Sequence, residues 1–129
     1  MNRAHNPAGM PPAASRYSQA IEVETGSRLM VVSGQVGNDV SGAVAQGIEA
    51  QCELAFRNVE TALAAGGMSL ADVIRFNSYV TDPRYIATFR QVRDRVVKAD
   101  PPATSTLVVV AALAGPDMLV EIEAIAAKK

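Results

Sequence analysis

Two acidic residues alternate with apolar residues near the C-terminal end of the chain. Glu121 and Glu123 lie in a segment that also contains Val120, Ile122 and Ile125. In a strand, alternate residues share a face, so the two carboxylates and Ile125 lie on the same side. A carboxylate beside an apolar wall is poorly solvated, which raises its pKa toward neutrality and suits it to proton transfer. Glu121 is therefore a candidate to take a proton from water and pass it on, but the pattern is equally typical of an exposed strand face with two acids.

Two other residues carry hydroxyl groups beside predicted strands. Tyr17 precedes the first predicted strand, where its hydroxyl can donate to a substrate atom or its ring can pack in an interface. Ser33 ends a predicted strand and is followed by Gly34, which permits close approach of the backbone to a ligand. A serine at the end of a strand is also typical of a turn, so both interpretations stay open here.

The chain contains few residues for metal or thiol chemistry. Its one histidine, His5, lies in a proline-flanked N-terminal stretch, and no Cys-x-x-Cys pair occurs. Because zinc prefers nitrogen and sulfur ligands, we expect no metal site and no other cofactor. The single cysteine, Cys52, falls in a helical apolar series, which is typical of a small buried hydrophobe and not of a nucleophile.

Length and charge limit the possible partners. The 129 residues suffice for one domain with a core but not for two ordinary domains. Twelve Lys+Arg against 13 Asp+Glu give a net charge of −1, without the basic excess that nucleic acids or anionic membranes favour. No apolar stretch reaches the roughly 18 residues of a membrane-spanning helix, and the first residues lack the apolar core of a signal peptide. We therefore expect a cytoplasmic protein that binds neither nucleic acid nor membrane.

The first part of the chain divides into an arm and the start of a domain. Residues 1–15 contain three prolines and little periodicity, which predicts a flexible N-terminal arm before a domain at 16–129. Residues 20–24 and 29–33 have strand character on either side of the turn-forming stretch 25–28. This arrangement predicts a β-hairpin.

Periodicity predicts the remaining elements. Apolar residues recur at intervals of three and four from Ile48 to Leu63, and a second helical pattern begins near Pro83. The alternating stretch Val73–Val80 predicts a strand between the two helices. The uncharged run 101–116 and the alternating segment 120–126 predict two central strands joined by a short Gly-Pro-Asp connection.

The predicted order is ββαβαββ in a single α+β domain. Two helices of this length can cover one face of a mixed sheet, whereas the other face is left without cover. An uncovered sheet face predicts an oligomer.

Three parts of the chain resemble the RidA (YjgF) family, whose best-known members hydrolyse reactive enamines and imines. They are the segments Val31–Gln35 and Asn58–Val73 and the two C-terminal strands, and the resemblance extends from about Tyr17 to Ala126. It implies a chorismate-mutase-like α+β fold. It also implies a homotrimer that binds a small molecule in each of three clefts between subunits.

The resemblance also implies roles for individual residues. It places Glu121 in the cleft as the acid/base and leaves Glu123 as a surface or interface charge. Backbone N–H groups near Ser105 and Thr106, in the fourth predicted strand, would polarise a carbonyl or imine. The positions that the resemblance assigns to ligand contact are Tyr17, Ser33, Ser105 and Thr106.

One departure from the family affects substrate binding. The family segment Pro-Ala-Arg-Ser-Cys reads Pro102–Thr106 here, so Thr104 replaces the arginine that holds a substrate carboxylate. A threonine hydroxyl cannot reproduce two parallel charged hydrogen bonds, and the resemblance then implies poor binding of carboxylate-bearing imines. Arg90 or Arg16 is a candidate to supply the missing charge.

Three functional hypotheses follow. The first is an imine or enamine hydrolase of altered substrate preference that uses Glu121. The second is a ligand-binding or regulatory trimer that keeps the cleft and lacks the chemistry. The third, an RNA-binding or RNA-cleaving protein, is disfavoured because the chain lacks a basic or aromatic platform for nucleic acid. Whether the protein is an enzyme depends on whether Glu121 is required.

Overall fold

Six strands and two α-helices make up the fold, which the computed structural model describes for all residues from 1 to 129. Short 3₁₀ turns at Leu70–Asp72 and Pro83–Tyr85 precede a strand and a helix respectively. The strands are β1 (Arg3–His5), β2 (Ala20–Glu22), β3 (Arg28–Val36), β4 (Val73–Val80), β5 (Thr104–Val109) and β6 (Val120–Lys128), and the helices are α1 (Ile48–Ala65) and α2 (Ile86–Val96). From β2 onward the order is ββαβαββ, as predicted.

The main sheet has four strands in the order β3-β6-β4-β5. The central strand β6 runs antiparallel to β3 and β4, whereas β5 lies at one edge and runs parallel to β4. α1 packs against β3, β6 and α2, so both helices lie on one face. This mixed sheet with two helices on one side confirms the predicted α+β fold.

Burial against the helices fixes the direction of each side chain on β6. The α1 residue Phe56 has its ring 5.8 Å from Phe76 on β4 and 5.8 Å from Phe89 on α2. Burying one such side chain stabilises the fold by about 1.5–3 kcal/mol. The alternate residues of β6 that pack into this core are Val120, Ile122, Ala124 and Ala126. Glu121 and Glu123 therefore lie on the opposite face of the sheet.

Apart from the end at Ala127, which is buried next to the N-terminal segment, that opposite face has no cover within the chain. Val31 and Leu29 on β3 are 75% and 63% exposed, and Val108 on β5 is also exposed. Exposed apolar side chains that cluster on one face are typical of an interaction surface. The prediction that only one sheet face is covered is confirmed.

The predicted hairpin between residues 20–24 and 29–33 is wrong. The turn itself forms, because the Ser27 N–H donates to the Glu24 carbonyl at 3.2 Å. However, β2 pairs with β1, and β3 pairs with β6. The nine-residue strand β6 offers β3 a longer ladder of hydrogen bonds than the three-residue strand β2 can.

The N-terminal segment 1–15, interpreted from the sequence as an unpacked arm, contains the strand β1. The Asn2 amide donates to the Ala127 carbonyl at 3.2 Å, and its oxygen accepts from the Glu24 N–H at 3.0 Å. Residues 2–5 are therefore held against the rest of the chain.

The prediction of two central strands joined by a short connection is also wrong. β4 lies between β5 and β6, so β5 is an edge strand. Residues 110–119 pass the end of β4, where the Thr81 N–H donates to the Leu119 carbonyl at 3.1 Å. The uncharged run suggested burial on both sides, but only one edge of β5 is paired.

Candidate functional site

The Glu121 carboxylate lies over Gly34 on the uncovered face of the sheet. Ser33 and Gly34 together oppose Glu123, because a β-bulge interrupts the pairing of β3 with β6 between Val32 and Gln35. A Cβ atom at Gly34 would lie only 2.6 Å from Oε2 of Glu121. Only glycine leaves room for the carboxylate here, so the close approach predicted for Gly34 is made by Glu121. Ser33 is exposed beside it.

The two acids of β6 have different environments. The Glu123 carboxylate accepts a hydrogen bond from the Tyr79 hydroxyl, which raises the pKa of Tyr79. Glu121 lies in register with Tyr79, but its carboxylate takes part in no hydrogen bond or ion pair within the chain. Its carboxylate is therefore free to contact a ligand or water, whereas Glu123 is engaged.

A second group of predicted site residues lines a cavity of about 180 Å³ between α2 and the edge strand β5. Tyr17, Arg90 and Ser105 contribute to its wall together with Arg93 and Leu107. Ser105 is in register with the core residue Phe76, so this cavity lies on the helix side of the sheet. Three of the seven predicted site residues are therefore brought together.

Thr104 and Thr106 lie on the uncovered face instead. The Thr104 hydroxyl donates to the Ile74 carbonyl at 2.6 Å, so its proton is already used within the chain. Thr106 is exposed and lies in register with Asn77 on β4. Thr104 thus acts as a structural residue at the position where the resemblance implies a ligand-binding arginine.

The backbone of β5 offers donors at its free edge. The Val110 N–H donates to the Val80 carbonyl of β4 at 2.9 Å. Because the N–H groups of successive strand residues point in opposite directions, the N–H of Thr106 points toward β4 and that of Ser105 toward the free edge. The backbone N–H of Ser105 can therefore take the expected role of polarising a carbonyl or imine, whereas the N–H of Thr106 cannot.

The two groups do not meet within one chain. Ser33, Gly34 and Glu121 lie over β3 and β6, whereas the cavity with Tyr17 lies beyond β5 on the other side of the sheet. Neighbouring strands are about 4.8 Å apart, so β6 and β5 are separated by roughly 10 Å. A site that contains both groups requires a second copy of the chain.

Sequence reasoning missed Arg93. This arginine is only 5% exposed, and it lines the same cavity as Arg90. The signal was present, because Arg90 and Arg93 are three residues apart and follow the apolar residues Phe89 and Val92 on a helix. A charged residue that recurs with the period of the buried face indicates a buried charge.

Arg16 does not line the cavity that contains Tyr17. Its guanidinium donates to the Val97 carbonyl at 3.4 Å and to the Ala99 carbonyl. These carbonyls follow the C-terminal end of α2, where a cation is favourable. Of the two arginines considered as replacements, the cavity contains Arg90.

The structure offers little for thiol or metal chemistry. Cys52 is buried, which raises the pKa of its thiol to about 12 and keeps it protonated, in agreement with a structural role. No group of three His, Cys, Asp or Glu side chains lies close enough to hold a metal ion. No helix combines the length and apolar character needed to cross a membrane. A larger cavity of about 420 Å³ lies among the two chain ends and contains none of the predicted site residues.

Known proteins resemble this chain in both sequence and fold. The family model described as Endoribonuclease L-PSP matches residues 8–128. The RutC family protein YjgH of Escherichia coli is 37% identical over 111 residues, which are 85% of this chain and 82% of the relative. The 2-iminobutanoate/2-iminopropanoate deaminase of Salmonella typhimurium is 31% identical over 123 residues, or 92% of each chain. The Rid protein YyfB from Yersinia pestis has a similar crystal structure, with a TM-score of 0.85, 32% identity and 97% coverage of both chains.

The α+β fold, its uncovered sheet face and these matches together identify the protein family. The chain belongs to the RidA (YjgF/RutC) family.

Proposed function

We propose that this protein hydrolyses an imine or enamine of a small molecule, with a substrate preference altered by Thr104. The observation that carries the proposal is the Glu121 carboxylate, which lies over Gly34 on the sheet face that carries exposed apolar residues and has no partner within the chain. A relative, the enzyme from Salmonella typhimurium, is named for the deamination of 2-iminobutanoate and 2-iminopropanoate. The position of Glu121 and this likeness together support acid/base chemistry on a carbon–nitrogen double bond.

In the proposed reaction, Glu121 takes a proton from water while the water oxygen bonds to the imine carbon. The electron pair of the double bond moves to nitrogen, which receives the proton from Glu121. Glu121 then moves the hydroxyl proton of the resulting carbinolamine to the nitrogen, the carbon–nitrogen bond breaks as its electron pair leaves with ammonia or an amine, and a carbonyl product remains. Tyr17 and Ser33 orient the substrate, and the backbone N–H of Ser105, which faces the free edge of β5, donates to developing negative charge.

The proposal includes a homotrimer with clefts between its subunits. It is supported by the separation of the two residue groups and by the exposed apolar side chains Leu29, Val31 and Val108. A head-to-tail contact that repeats around a closed ring brings the Glu121 group of one copy to the Tyr17 group of the next. Each cleft then holds one small molecule.

A second candidate is a ligand-binding or regulatory trimer without turnover. The observation that favours it is the Thr104 hydroxyl, which donates to Ile74 and so leaves β5 without a charged anchor for a substrate. RNA cleavage, which the family model's description suggests, is less well supported. The net charge is −1, and the chain offers no basic or aromatic platform.

Turnover separates the two candidates. An amino acid oxidase generates imines from a panel of amino acids and amines, and semicarbazide traps those that are not hydrolysed. We expect the wild type to suppress trapping, Glu121→Gln to lose that suppression by about 100-fold or more, and the matched variant Glu123→Gln to retain it. No suppression by the wild type with any imine would favour the binding protein. Equal suppression by Glu121→Gln would exclude the assigned acid/base.

A further inference from the structure

Arg93 is a buried cation with incomplete pairing. Its side chain is 6% exposed, its Nε donates to the carboxylate of the adjacent Asp94 at 2.9 Å, and its Nη1 is 3.4 Å from the Ser15 hydroxyl. Nη2 is buried and has no partner. A buried charged donor without a partner is destabilising, and native proteins rarely keep one without a function.

Arg90 has the same defect at the same cavity. Its Nε is also buried without a partner, and both arginines line the space of about 180 Å³ beside β5. Two buried and unpartnered N–H groups therefore come from neighbouring turns of α2. The remaining wall consists of Tyr17, Ser105, Leu107, Ala14 and Ser15.

The charge of this cavity selects an anion. Its lining contains two arginines and no carboxylate. An arginine remains protonated at any ordinary pH, and its planar fork matches the two oxygens of a carboxylate. The volume is about six times the roughly 30 Å³ occupied by a water molecule, which is enough for a carboxylate with a short carbon chain. The hydroxyl groups of Tyr17 and Ser105 add donors for an oxygen or nitrogen of the ligand.

We propose that the cavity of Arg90 and Arg93 is a binding site for a small monocarboxylate. In the assembled protein, the cavity anchors the carboxylate of the substrate from helix α2 instead of from strand β5, and this second statement rests on the proposed function. The substrate class is then a carboxylate-bearing imine, bound on the other side of β5 from Thr104. This anion site replaces the expectation, drawn from Thr104 alone, that carboxylate-bearing imines bind poorly.

Isothermal titration calorimetry tests the site without turnover. The probes are 2-oxobutanoate, its uncharged amide and inorganic phosphate, titrated into the full-length protein. We expect 2-oxobutanoate to bind at least about tenfold more tightly than the amide, because only the acid forms charged hydrogen bonds. Tighter binding of phosphate than of 2-oxobutanoate would overturn the assignment to a carboxylate, as would equal binding of the acid and the amide.

Variants on α2 locate the site. Arg93→Met and Arg90→Gln should each weaken 2-oxobutanoate binding by about tenfold or more, whereas Arg95→Met should not. Arg95 is a suitable control because it lies on the same helix and pairs with Glu53. If Arg93→Met fails to fold, Arg90→Gln and Arg93→Lys provide the result, because Lys keeps the charge and loses the fork. The proposal would be overturned if Arg90→Gln and Arg93→Met both bound 2-oxobutanoate with wild-type affinity. If Arg93→Met does not fold, wild-type affinity in both Arg90→Gln and Arg93→Lys would overturn it.

A carboxylate from a neighbouring copy is the competing occupant. In that case the wild-type protein would not bind 2-oxobutanoate, and Arg93→Met would dissociate the oligomer in gel filtration, which overturns the proposal. Failure of the hydrolase hypothesis can be distinguished from failure of the anion site. Arginine-dependent binding of 2-oxobutanoate without suppression of semicarbazide trapping would support the anion site and exclude the hydrolase. Hydrolysis of uncharged imines without 2-oxobutanoate binding would support the hydrolase and exclude the anion site.

Discussion

At the scale of single residues, Glu121 and Gly34 depend on each other. The sequence indicated both residues, because one is an acid on an apolar strand and the other follows a serine at a strand end. Their contact was not predictable, since it results from a bulge that shifts β3 relative to β6. Arg93 was missed for a related reason. Its burial depends on the position of Ser15 and β5 around α2, which no local pattern specifies.

Gly34→Ala should therefore reduce activity more than stability. The new Cβ would lie 2.6 Å from Oε2 and 3.0 Å from Cγ of Glu121, and the flexible side chain can move away at little energetic cost. A displacement of about 1 Å can reduce a rate by roughly 100-fold. We expect a loss of imine hydrolysis of about tenfold or more with a nearly unchanged melting temperature, measured by the trapping assay and circular dichroism. Gly9→Ala, which has open space around it, is the control, and full activity of Gly34→Ala would contradict the described geometry.

At the scale of elements, the helices and the chain order could be predicted, but strand pairing could not. Apolar residues at intervals of three and four define α1 and α2 locally, because a helix forms its hydrogen bonds within itself. A strand needs a partner from elsewhere in the chain, so neither the pairing of β2 with β1 nor the edge position of β5 is written in those segments. The predicted hairpin was wrong because adjacency in sequence was taken for adjacency in the sheet.

Gln51 connects α1 to the start of β6 and so helps to position Glu121. It is buried, donates to the carbonyls of Ala45 at 3.0 Å and Asp117 at 2.9 Å, and accepts from the Leu119 N–H at 2.9 Å. Gln51→Met would leave these three backbone groups unpaired, and because the groups are only partly buried, each costs less than the roughly 1–3 kcal/mol of a fully buried unpaired group. We expect the free energy of unfolding in urea to fall by about 2–4 kcal/mol, against little change for Gln91→Met on the exposed side of α2. Equal stability of the two variants would exclude this role.

At the scale of the whole molecule, the uncovered face determines what one chain can do. Val31 is 75% exposed on that face, on the edge strand β3, and a charge introduced there would be buried in the proposed interface without a partner. Val31→Asp should therefore shift the protein from trimer to monomer in sedimentation equilibrium. Val40→Asp is the matched control, because Val40 is fully exposed in the loop after β3. A trimer that persists in Val31→Asp would place the subunit contact elsewhere.

The central claim is that a working site combines Glu121 of one copy with the Tyr17 group of another. Its most direct test is imine hydrolysis by mixed trimers refolded from equal amounts of Glu121→Gln and Tyr17→Ala chains, each of which is expected to be inactive alone. If each cleft takes one group from each of two neighbours, random mixing gives an intact cleft in about one case in four, so about a quarter of wild-type activity should return. Mixed trimers that form but remain as inactive as either variant alone would contradict the account.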